Sequence, residues 1–499
     1  MRIGGLASGM DIDSLVGKLM EAERMPLQKM EQDQTKLTWQ RDSFRDINKK
    51  LLELDDMMLN MKMSSTYNSK SVSSSNESAV TATASSSADN GLYNIEVTQM
   101  ATSAINISQS AIGQEIDPNE SMNTQQFTTD VNNGTYKFST YDEETEGMKE
   151  HTFEVKDGDS LNDVLKRITD ADNNVRAFFD EPSQKVIMET IRTGNYNENG
   201  SEIDFNGTDN AFFTDVLNLD PTQEDGGENA QFTYNGLATV MESKTNSYQL
   251  NGVNFQFKSE GSASLTVTNN VESSFEKIMD FVDKYNEVVE TLNGTQQEEK
   301  FRDYKPLTDE QKEDMSEKQI ELWEEKAKSG LLRGESSISS GLFSMRQSWY
   351  STVETGGDIT SLTQIGIKTS SNYMDGGKLE VNETDLKNAL RDNPGDVQKL
   401  FSNNAEGDSR GLVNRLEDAV ESTMSKIEER AGKGTDTLEN YTLGKRMKDV
   451  TTRIAAFEDR LVQKENRYWS QFTQMEKAIQ RMNQQSAQLA QFSGGGGMM

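Results

Sequence analysis

Each end of the chain carries apolar residues at seven-residue spacing, and this pattern constrains the fold more than any other feature. At the C-terminal end the row consists of Met447, Ile454, Leu461, Tyr468, Met475, Met482 and Leu489. Near the N-terminus a second row consists of Met30, Leu37, Phe44, Leu51 and Met58. Such rows place apolar groups on one helix face, which a single helix cannot bury alone. We therefore predict that residues 1–65 pair with residues 436–499 in a helical, coiled-coil stalk.

Polar residues interrupt the C-terminal pattern and indicate what kind of helix pair to expect. Lys464 and Gln471 fall where apolar residues would complete the stripe, which drifts toward Phe472 and Ile479. A helix of about 3.6 residues per turn drifts in this way against a strict heptad. We therefore interpret the two stripes as conditional interfaces, loosely paired in the isolated chain and ordered against other chains.

Two local signals mark the N-terminal helix. Asp11 or Asp13 is a candidate N-cap for the segment that begins near Ser14, because a carboxylate there accepts hydrogen bonds from the first amides. Pro26 lies inside the helical pattern, where its ring and its missing N–H predict a break or a new helix start. Beyond Pro26 the helix is predicted to continue to about Met63.

The length and the low apolar content together indicate several domains. The chain has 499 residues, for which roughly three to four units are expected. Only 33% of the residues are hydrophobic and the mean hydropathy is −0.77, which is low for a single compact core. The predicted fold class is α+β and multi-domain. It comprises a terminal helical coiled-coil stalk, a helical-plus-β middle domain and β-rich inserted head domains.

The charge balance excludes several classes of partner. The chain has 83 acidic and 51 basic side chains, a formal net charge of −32. Nucleic acid is therefore not an expected partner, because phosphate binding depends on clustered Lys and Arg. No apolar stretch has the length of a membrane-spanning helix, so membrane insertion is not expected either. The N-terminus lacks a basic segment followed by an apolar run, which predicts that no signal peptide is cleaved.

The sequence offers little catalytic chemistry. It contains no cysteine and a single histidine, His151, which removes disulfides, thiolate chemistry and most nucleophile–base pairs. His151 lies in a strand-like run and is predicted to be a surface residue. The acidic run Asp142–Glu146 lacks the spacing of a calcium loop and is predicted to be a solvated turn. We therefore predict no catalytic, metal-binding or cofactor-binding residues, and a protein that is not an enzyme.

Between the terminal helices the composition changes in ways that suggest an inserted head. Residues 64–90 are rich in Ser, Thr and Asn, which predicts a linker or an exposed extended segment. The apolar spacing of Leu161–Ala171 predicts a helix, and the surrounding Asn-Gly and Asp-Gly pairs predict turns between short strands. Residues 115–244 hold 28 acidic and 9 basic residues, a net charge of −19.

These changes lead to a domain scheme with three parts. The terminal stalk combines residues 1–65 and 436–499. A mixed helical and β leg domain combines residues 66–110 and 262–435. Residues 111–261 form an acidic, β-rich head of one or two subdomains.

Several motifs in this order resemble those of the bacterial flagellar filament-capping family, also called flagellar hook-associated protein 2. The motifs are Gly4–Asp11, Tyr93–Ala101, Phe281–Asn286, Ile365–Leu379, Glu458–Leu461 and Gln471–Glu476. Residues of about 152–206 are similar to the repeat called the flagellin hook IN motif. The resemblance extends over nearly the whole chain and departs most from the family in the central acidic block.

The resemblance implies an extracellular structural cap at the distal tip of the flagellar filament, which promotes folding and polymerisation of exported flagellin and prevents its loss to the medium. It implies a homo-oligomeric ring of four to six subunits and contacts with flagellin and with hook–filament junction proteins. It also implies passage through the flagellar type III export apparatus, with an export chaperone on the C-terminal helices. In our interpretation the contact residues are those of the two stripes: Leu37, Phe44, Leu51, Met58, Met447, Ile454, Leu461, Tyr468, Phe472, Met475, Ile479, Met482 and Leu489.

Two alternatives remain open at this stage. An adhesin or surface-binding module would use the acidic head to contact a ligand, and it would not require the terminal stripes for filament growth. A secreted hydrolase built on the β-rich head would depend on His151, the one imidazole in the sequence.

Overall fold

The computed structural model describes residues 10–494, with side chains described to residue 489. The chain divides into two compact units. The helical unit combines the residues up to Tyr67 with those from Glu272 onward, and the inserted unit comprises Asn68–Val271. The mixed α+β, multi-domain fold class predicted from the sequence is confirmed, and each unit is described below by itself.

The helical unit consists mainly of helices of very different lengths. They are α1 (Ile12–Met61), α2 (Ser64–Tyr67), α4 (Val271–Gln297), α5 (Asp309–Glu313), α6 (Glu317–Lys328), α7 (Ser336–Ser348), α8 (Glu383–Asp392), α9 (Pro394–Ser402), α10 (Leu412–Ala431) and α11 (Thr442–Gly494). A two-stranded antiparallel hairpin joins β16 (Ile367–Thr369) to β17 (Leu379–Val381). No helix among residues 10–494 combines the length and the apolar character that a membrane span needs.

α1 is one continuous helix. The Asp11 carboxylate accepts a hydrogen bond from the Ser14 amide at 3.0 Å, so Asp11 is the N-cap. The break predicted at Pro26 is wrong, because the helix continues through this residue. Pro26 is exposed, so water can bond to the backbone carbonyl that its missing N–H leaves without a donor.

The inserted unit contains two hydrophobic cores, and the first lies between two antiparallel sheets. A five-stranded sheet has the order β1-β15-β3-β11-β12, and a three-stranded sheet has the order β13-β14-β2. These strands are β1 (Lys70–Ser74), β2 (Val80–Ala84), β3 (Gly91–Gln99), β11 (Ala230–Tyr234), β12 (Met241–Ser243), β13 (Ser247–Leu250), β14 (Val253–Phe257) and β15 (Gly261–Asn269). Alternate residues such as Ile95, Phe255 and Leu265 are buried, as expected when one face of a sheet is covered.

A two-residue turn sets the register of one hairpin in this first core. Leu250 of β13 pairs with Val253 of β14, and Asn251 and Gly252 connect them. Both turn residues have positive φ, 49° and 76°, which is the conformation that Asn-Gly favours in tight hairpins.

The second core lies within residues 103–226. One sheet has the order β10-β4-β8-β7 and the other has the order β6-β5-β9. Their strands are β4 (Ser103–Ile107), β5 (Gly134–Asp142), β6 (Gly147–Val155), β7 (Val175–Asp180), β8 (Lys185–Thr193), β9 (Ile203–Asp204) and β10 (Asp225–Gly226). The helix α3 (Leu161–Thr169) confirms the helix predicted near Leu161. Its N-cap is Ser160, and its buried face packs among the phenylalanines of this core.

The observed boundaries differ from the expected ones in two places. Residues 64–90, predicted to be a linker or an exposed extended segment, instead contain α2 and the paired strands β1 and β2. Residues 68–110 and 262–271, expected in the leg domain, belong to the inserted unit. The reason is long-range strand pairing, since β15 lies between β1 and β3 and ties the two segments together.

Truncation of Phe213 tests the second core. This ring is fully buried and lies 5.1 Å from Phe138 and 5.0 Å from Phe153, measured between ring centroids. Phe213→Ala is expected to destabilise this core by about 3–5 kcal/mol, because a large cavity remains. Hydrogen exchange followed by mass spectrometry should then show faster exchange across residues 134–219. The control is Phe178→Ala, since Phe178 is 39% exposed and its truncation leaves no cavity. Equal exchange in both variants would contradict the assigned core.

Candidate functional site: the terminal helix pair

α1 packs antiparallel against two helices in succession. The Gln34 side-chain amide donates to Thr451 Oγ1 of α11 at 2.8 Å. Further along α1, Arg45 donates to backbone carbonyls at the end of α10, and Lys62 pairs with Glu417 near the start of α10. The first half of α1 therefore faces α11, and the second half faces α10.

An apolar cluster holds the start of α1 against the middle of α11. Ile12, Val16 and Met20 of α1 and Leu461 of α11 are buried together. Half-buried side chains around them are Leu27, Phe457, Tyr468, Trp469 and Phe472. Buried apolar area of this kind is the main source of helix–helix stability, at roughly 25 cal/mol per Å². The start of α1 and the middle of α11 are thus joined by side-chain packing, through residues of α1 that precede the N-terminal stripe.

A polar contact fixes the register of this pair. Lys464 Nζ forms an ion pair with the Glu23 carboxylate, and the Tyr468 hydroxyl donates to Glu23 Oε1 at 3.0 Å. The hydrogen bond from Lys464, followed by that from Tyr468, lowers the pKa of Glu23 below its ordinary value. Lys464 appears in the sequence as an interruption of the apolar stripe, whereas in the structure it selects one alignment of α1 on α11.

The residues predicted from the two stripes occupy three different environments. In the N-terminal stripe Leu37, Phe44, Leu51 and Met58 are buried in the helical unit, and Met30 is half-buried. In the C-terminal stripe Met447 and Leu461 are buried, and Ile454, Tyr468, Phe472, Met475 and Ile479 are half-buried. Met482 and Leu489 are 64% and 69% exposed. The accessible part of the predicted interface is therefore the distal part of α11.

The turn between α10 and α11 is held by one arginine and one glycine. Arg45 Nε donates to the carbonyls of Ala431 and Gly432 at 3.1 Å, and its guanidinium lies 5.5 Å from the Tyr441 ring. A cation at this end of a helix also interacts favourably with the helix dipole. Gly432 has φ of +68°, and a Cβ there would lie 2.4 Å from the Tyr441 ring. No other residue type fits this position without movement.

Three carboxylates meet where α1 packs on α10. One ligand atom from each of Asp55, Glu417 and Glu421 lies within 4.8 Å of the others. Lys62 pairs with Glu417 and compensates part of this charge. Burial, followed by the neighbouring Glu417 and Glu421, raises the pKa of Asp55 above its ordinary value. Asp55 Oδ1 is buried and has no hydrogen-bond partner among the described residues.

His151 and the acidic turn lie in the inserted unit. His151 is half-buried rather than fully exposed, and its Nε2 lies 2.8 Å from Thr140 Oγ1. Burial lowers the pKa of His151, and the positive charge of Lys149 adds to this effect. The Asp142 carboxylate accepts a hydrogen bond from the Thr145 amide at 2.9 Å, which closes the turn between β5 and β6.

Comparison with known proteins places this architecture in a family. The family model described as the flagellar hook-associated protein 2 N-terminus matches residues 8–104, and the model of its C-terminus matches residues 227–484. A flagellar hook-associated protein 2 of Halalkalibacterium halodurans is 37% identical over 99% of each chain. The chain belongs to the flagellar hook-associated protein 2 family. This family is structural rather than enzymatic, and membership confirms the prediction of a non-enzyme.

More distant members of the hook-associated protein 2 family align over a similar length. The relative from Thermotoga maritima is 23% identical, over 98% of this chain and 95% of its own. The A-type protein of Pseudomonas aeruginosa is 26% identical, over 98% of this chain and 96% of its own. The crystal structure of the D1-D2-D3 domains of the Escherichia coli flagellar cap protein has a similar fold. Its TM-score is 0.55 at 16% identity, over 82% of this chain and 99% of that one. The opening motif Gly4–Asp11 lies outside the described residues except for Met10 and Asp11.

Sequence reasoning missed two features of the helix pair. It proposed that the terminal helices pair with each other and did not include α10 as the partner of the second half of α1. It also treated Lys464 as a defect. An antiparallel alignment that places Gln34 opposite Thr451 also brings Glu23 near Lys464. The opposite charges of these two residues could therefore have indicated the register from the sequence.

Removal of the Glu23 charge tests the register contact. Glu23→Gln is expected to increase hydrogen exchange several-fold in residues 12–27 and 457–472, because the ion pair with Lys464 is lost. Since folding lowers the pKa of Glu23, its stabilising effect is present above the ordinary glutamate pKa and is lost as pH falls through the lowered one. The difference from the unmodified protein should therefore disappear in acid. The control is Glu21→Gln, an exposed position on the same helix without an ion pair to any described residue. Unchanged exchange at neutral pH would contradict the role of this contact.

Removal of a charge from the acidic cluster is expected to stabilise the protein, in contrast to removal of the Glu23 charge. Because folding raises the pKa of Asp55, its charged form destabilises the native state at neutral pH, and this cost is relieved as pH falls toward the raised pKa. Asp55→Asn is expected to raise the thermal unfolding midpoint at neutral pH by about 2 °C. The gain should vanish below the ordinary aspartate pKa. The control is Asp46→Asn, an exposed position on the same helix. A variant that is less stable than the parent at neutral pH would refute this account.

Proposed function

We propose that this protein caps the distal tip of the bacterial flagellar filament, where it promotes folding and polymerisation of exported flagellin and prevents its loss to the medium. In this role it is required for filament elongation and motility. The proposal rests on family membership over nearly the full chain, together with the distal part of α11. It places the protein outside the cell, after export without a cleaved signal peptide.

The observation that carries the proposal is the apolar row at the end of α11. Met475, Ile479, Met482 and Leu489 follow one another at intervals of four, three and seven residues, which puts them on one helix face. Met482 and Leu489 are largely exposed. A row of this kind is typical of a helix that docks into an apolar groove of a partner. Methionine suits such a contact because its flexible side chain adapts to more than one surface.

The partners proposed for this row are sister subunits, flagellin and an export chaperone, in succession. A homo-oligomeric ring of four to six subunits would place several copies of α11 side by side, where the seven-residue spacing favours coiled-coil packing. Before assembly, a chaperone bound to the C-terminal helices would cover the same apolar face during passage to the type III export apparatus. Hook–filament junction proteins are the proposed neighbours when growth of the filament begins.

The stripe of the N-terminal helix has a different role in this proposal. Leu37, Phe44, Leu51 and Met58 are buried in the folded helical unit, so they support the cap by holding α1 on α10 and α11. Contacts with flagellin or a chaperone are then assigned to the distal part of α11.

The experiment replaces the exposed row without altering the packed part of α11. Met482→Glu combined with Leu489→Glu is expected to leave the helical unit folded, because both side chains are largely exposed. Cells carrying this variant should form few or short filaments and should release flagellin into the medium. Electron microscopy of the filaments and immunoblotting of the medium measure the two effects.

The matched control adds the same two charges on the opposite face of α11. Gln484→Glu combined with Gln488→Glu changes exposed positions that lie away from the apolar row. This variant should support normal filament growth. Normal growth with the Met482 and Leu489 variant would contradict the cap proposal. That outcome would favour the adhesin alternative, in which the acidic inserted unit contacts a surface ligand and the stripes are dispensable.

A further inference from the structure

One cavity in the helical unit gathers positive charge in a strongly acidic protein. It has a volume of about 330 Å³ and lies between α1, the loop 300–306 and the segment 327–331. Its lining includes five cations: Lys29, Lys36, Lys300, Arg302 and Lys305. Asp33 is the one acidic residue in the lining. The whole chain, by contrast, carries a net charge of −32.

The five cations take no part in the ion pairs of the described residues. None of them forms an ion pair with a carboxylate of any described residue, whereas the nearby Lys312 and Lys328 both pair with Glu324. Carboxylates are therefore present in this region, and Asp33 lies in the lining itself, but none of the described ones is within ion-pair distance of the cavity cations. Like charges gathered in one concave site repel one another and create a positive potential that attracts anions.

The loop 300–306 carries three of these cations, and the hydrogen bonds that hold it in place do not use their charged groups. Ser329 Oγ donates to the carbonyl of Glu299 at 2.6 Å, and Trp323 Nε1 donates to the carbonyl of Lys305 at 2.8 Å. The Gly330 amide donates to Glu298 Oε2 at 2.7 Å. Backbone carbonyls and an acidic side chain therefore position the loop, and the ammonium and guanidinium groups take no part.

Gly330 allows the loop to approach closely. Its φ is +69°, and a Cβ at this position would lie 3.1 Å from Cα and Cβ of Lys300. The close approach brings Lys300 beside the segment that follows α6. On the other wall, Lys29 and Lys36 are seven residues apart and therefore lie on the same face of α1.

Aromatic side chains form the remaining wall. Phe301 and Tyr304 line the cavity and are half-buried, and their ring centroids lie 6.0 Å apart. The Tyr304 ring also contacts Trp323, with centroids at 4.6 Å. A concave site that combines an aromatic wall with several convergent cations is suited to a small organic or inorganic anion.

We propose that this cavity binds a compact polyanion, a small molecule that carries at least two phosphate or carboxylate groups. Its volume is near the lower end of the range typical for small-molecule sites, roughly 300–1,000 Å³. The acidic chain as a whole would repel a long polyanion such as a nucleic acid, so a local group of exposed cations around one cavity favours a small ligand. This inference does not depend on the proposed cap function.

Calorimetric titration of the full chain at low ionic strength tests the proposal, with tripolyphosphate as the phosphate probe and citrate as the carboxylate probe. We expect at least one of them to bind with a stoichiometry of one per chain and to weaken as salt is added. Lys36→Gln combined with Lys300→Gln should weaken binding by about tenfold, because two charge-assisted contacts are lost. These changes lie outside the apolar packing and should leave the circular dichroism spectrum unchanged.

The matched control is Lys18→Gln combined with Lys49→Gln. Both lysines are exposed on α1, lie outside the cavity and form no ion pair with a described residue. This control should bind the probe with unchanged affinity. Two results would each overturn the proposal. They are no binding of either probe, and equal weakening of binding in both double variants.

Discussion

The antiparallel packing of α1 along α10 and α11 is the constraint on which the helical unit depends. At 1.5 Å per residue the 50-residue α1 is about 75 Å long, and no single neighbour in this chain covers all of it. α11 covers its first half and α10 its second half. The junction between these two partners is fixed by Arg45, which bonds to the carbonyls where α10 ends. Loss of this arrangement would expose the buried stripe from Leu37 to Met58.

Sequence periodicity predicted the helices better than it predicted their partners. The seven-residue rows located α1 and α11, and the apolar face of Leu161, Val164, Leu165 and Ile168 located α3, because each signal is local. A stripe shows that a face needs cover and does not identify the helix that covers it, so α10 was not found. The break predicted at Pro26 failed because packing on either side of this residue, at Met20 and Leu27, holds the helix together. The sequence could not show which residues of the predicted interface are accessible. Met482 and Leu489 are exposed whereas Leu37, Phe44, Leu51 and Met58 are buried, and this difference follows from tertiary packing.

Strand pairing was the less predictable part of the fold. β1 and β2 lie in a segment whose Ser and Thr content indicated a linker, yet both pair with strands more than 150 residues further along the chain. Their sequences carry little apolar alternation, and their partners β15 and β14 supply most of the buried residues. Turn chemistry is the local signal that did hold, since Asn235 and Gly236, one of the predicted Asn-Gly turns, have φ of 50° and 72° between β11 and β12. The inserted unit begins at Asn68 because β1 pairs with β15, and the composition of residues 64–90 does not indicate this boundary.

The inserted unit begins and ends on neighbouring strands, and so does the region nested inside it. Lys70 pairs with Asn269 across β1 and β15, and Ile105 pairs with Asp225 across β4 and β10. The two family models match the chain up to residue 104 and again from residue 227, on either side of this second closure. Because the paired strands hold the two ends of each inserted segment together, a change in the length of that segment has little effect on the rest of the chain. Doubling its length adds only about 0.6 kcal/mol of closure entropy. The protein can therefore exchange its nested region for one of another size or surface while the helices at its termini keep their geometry.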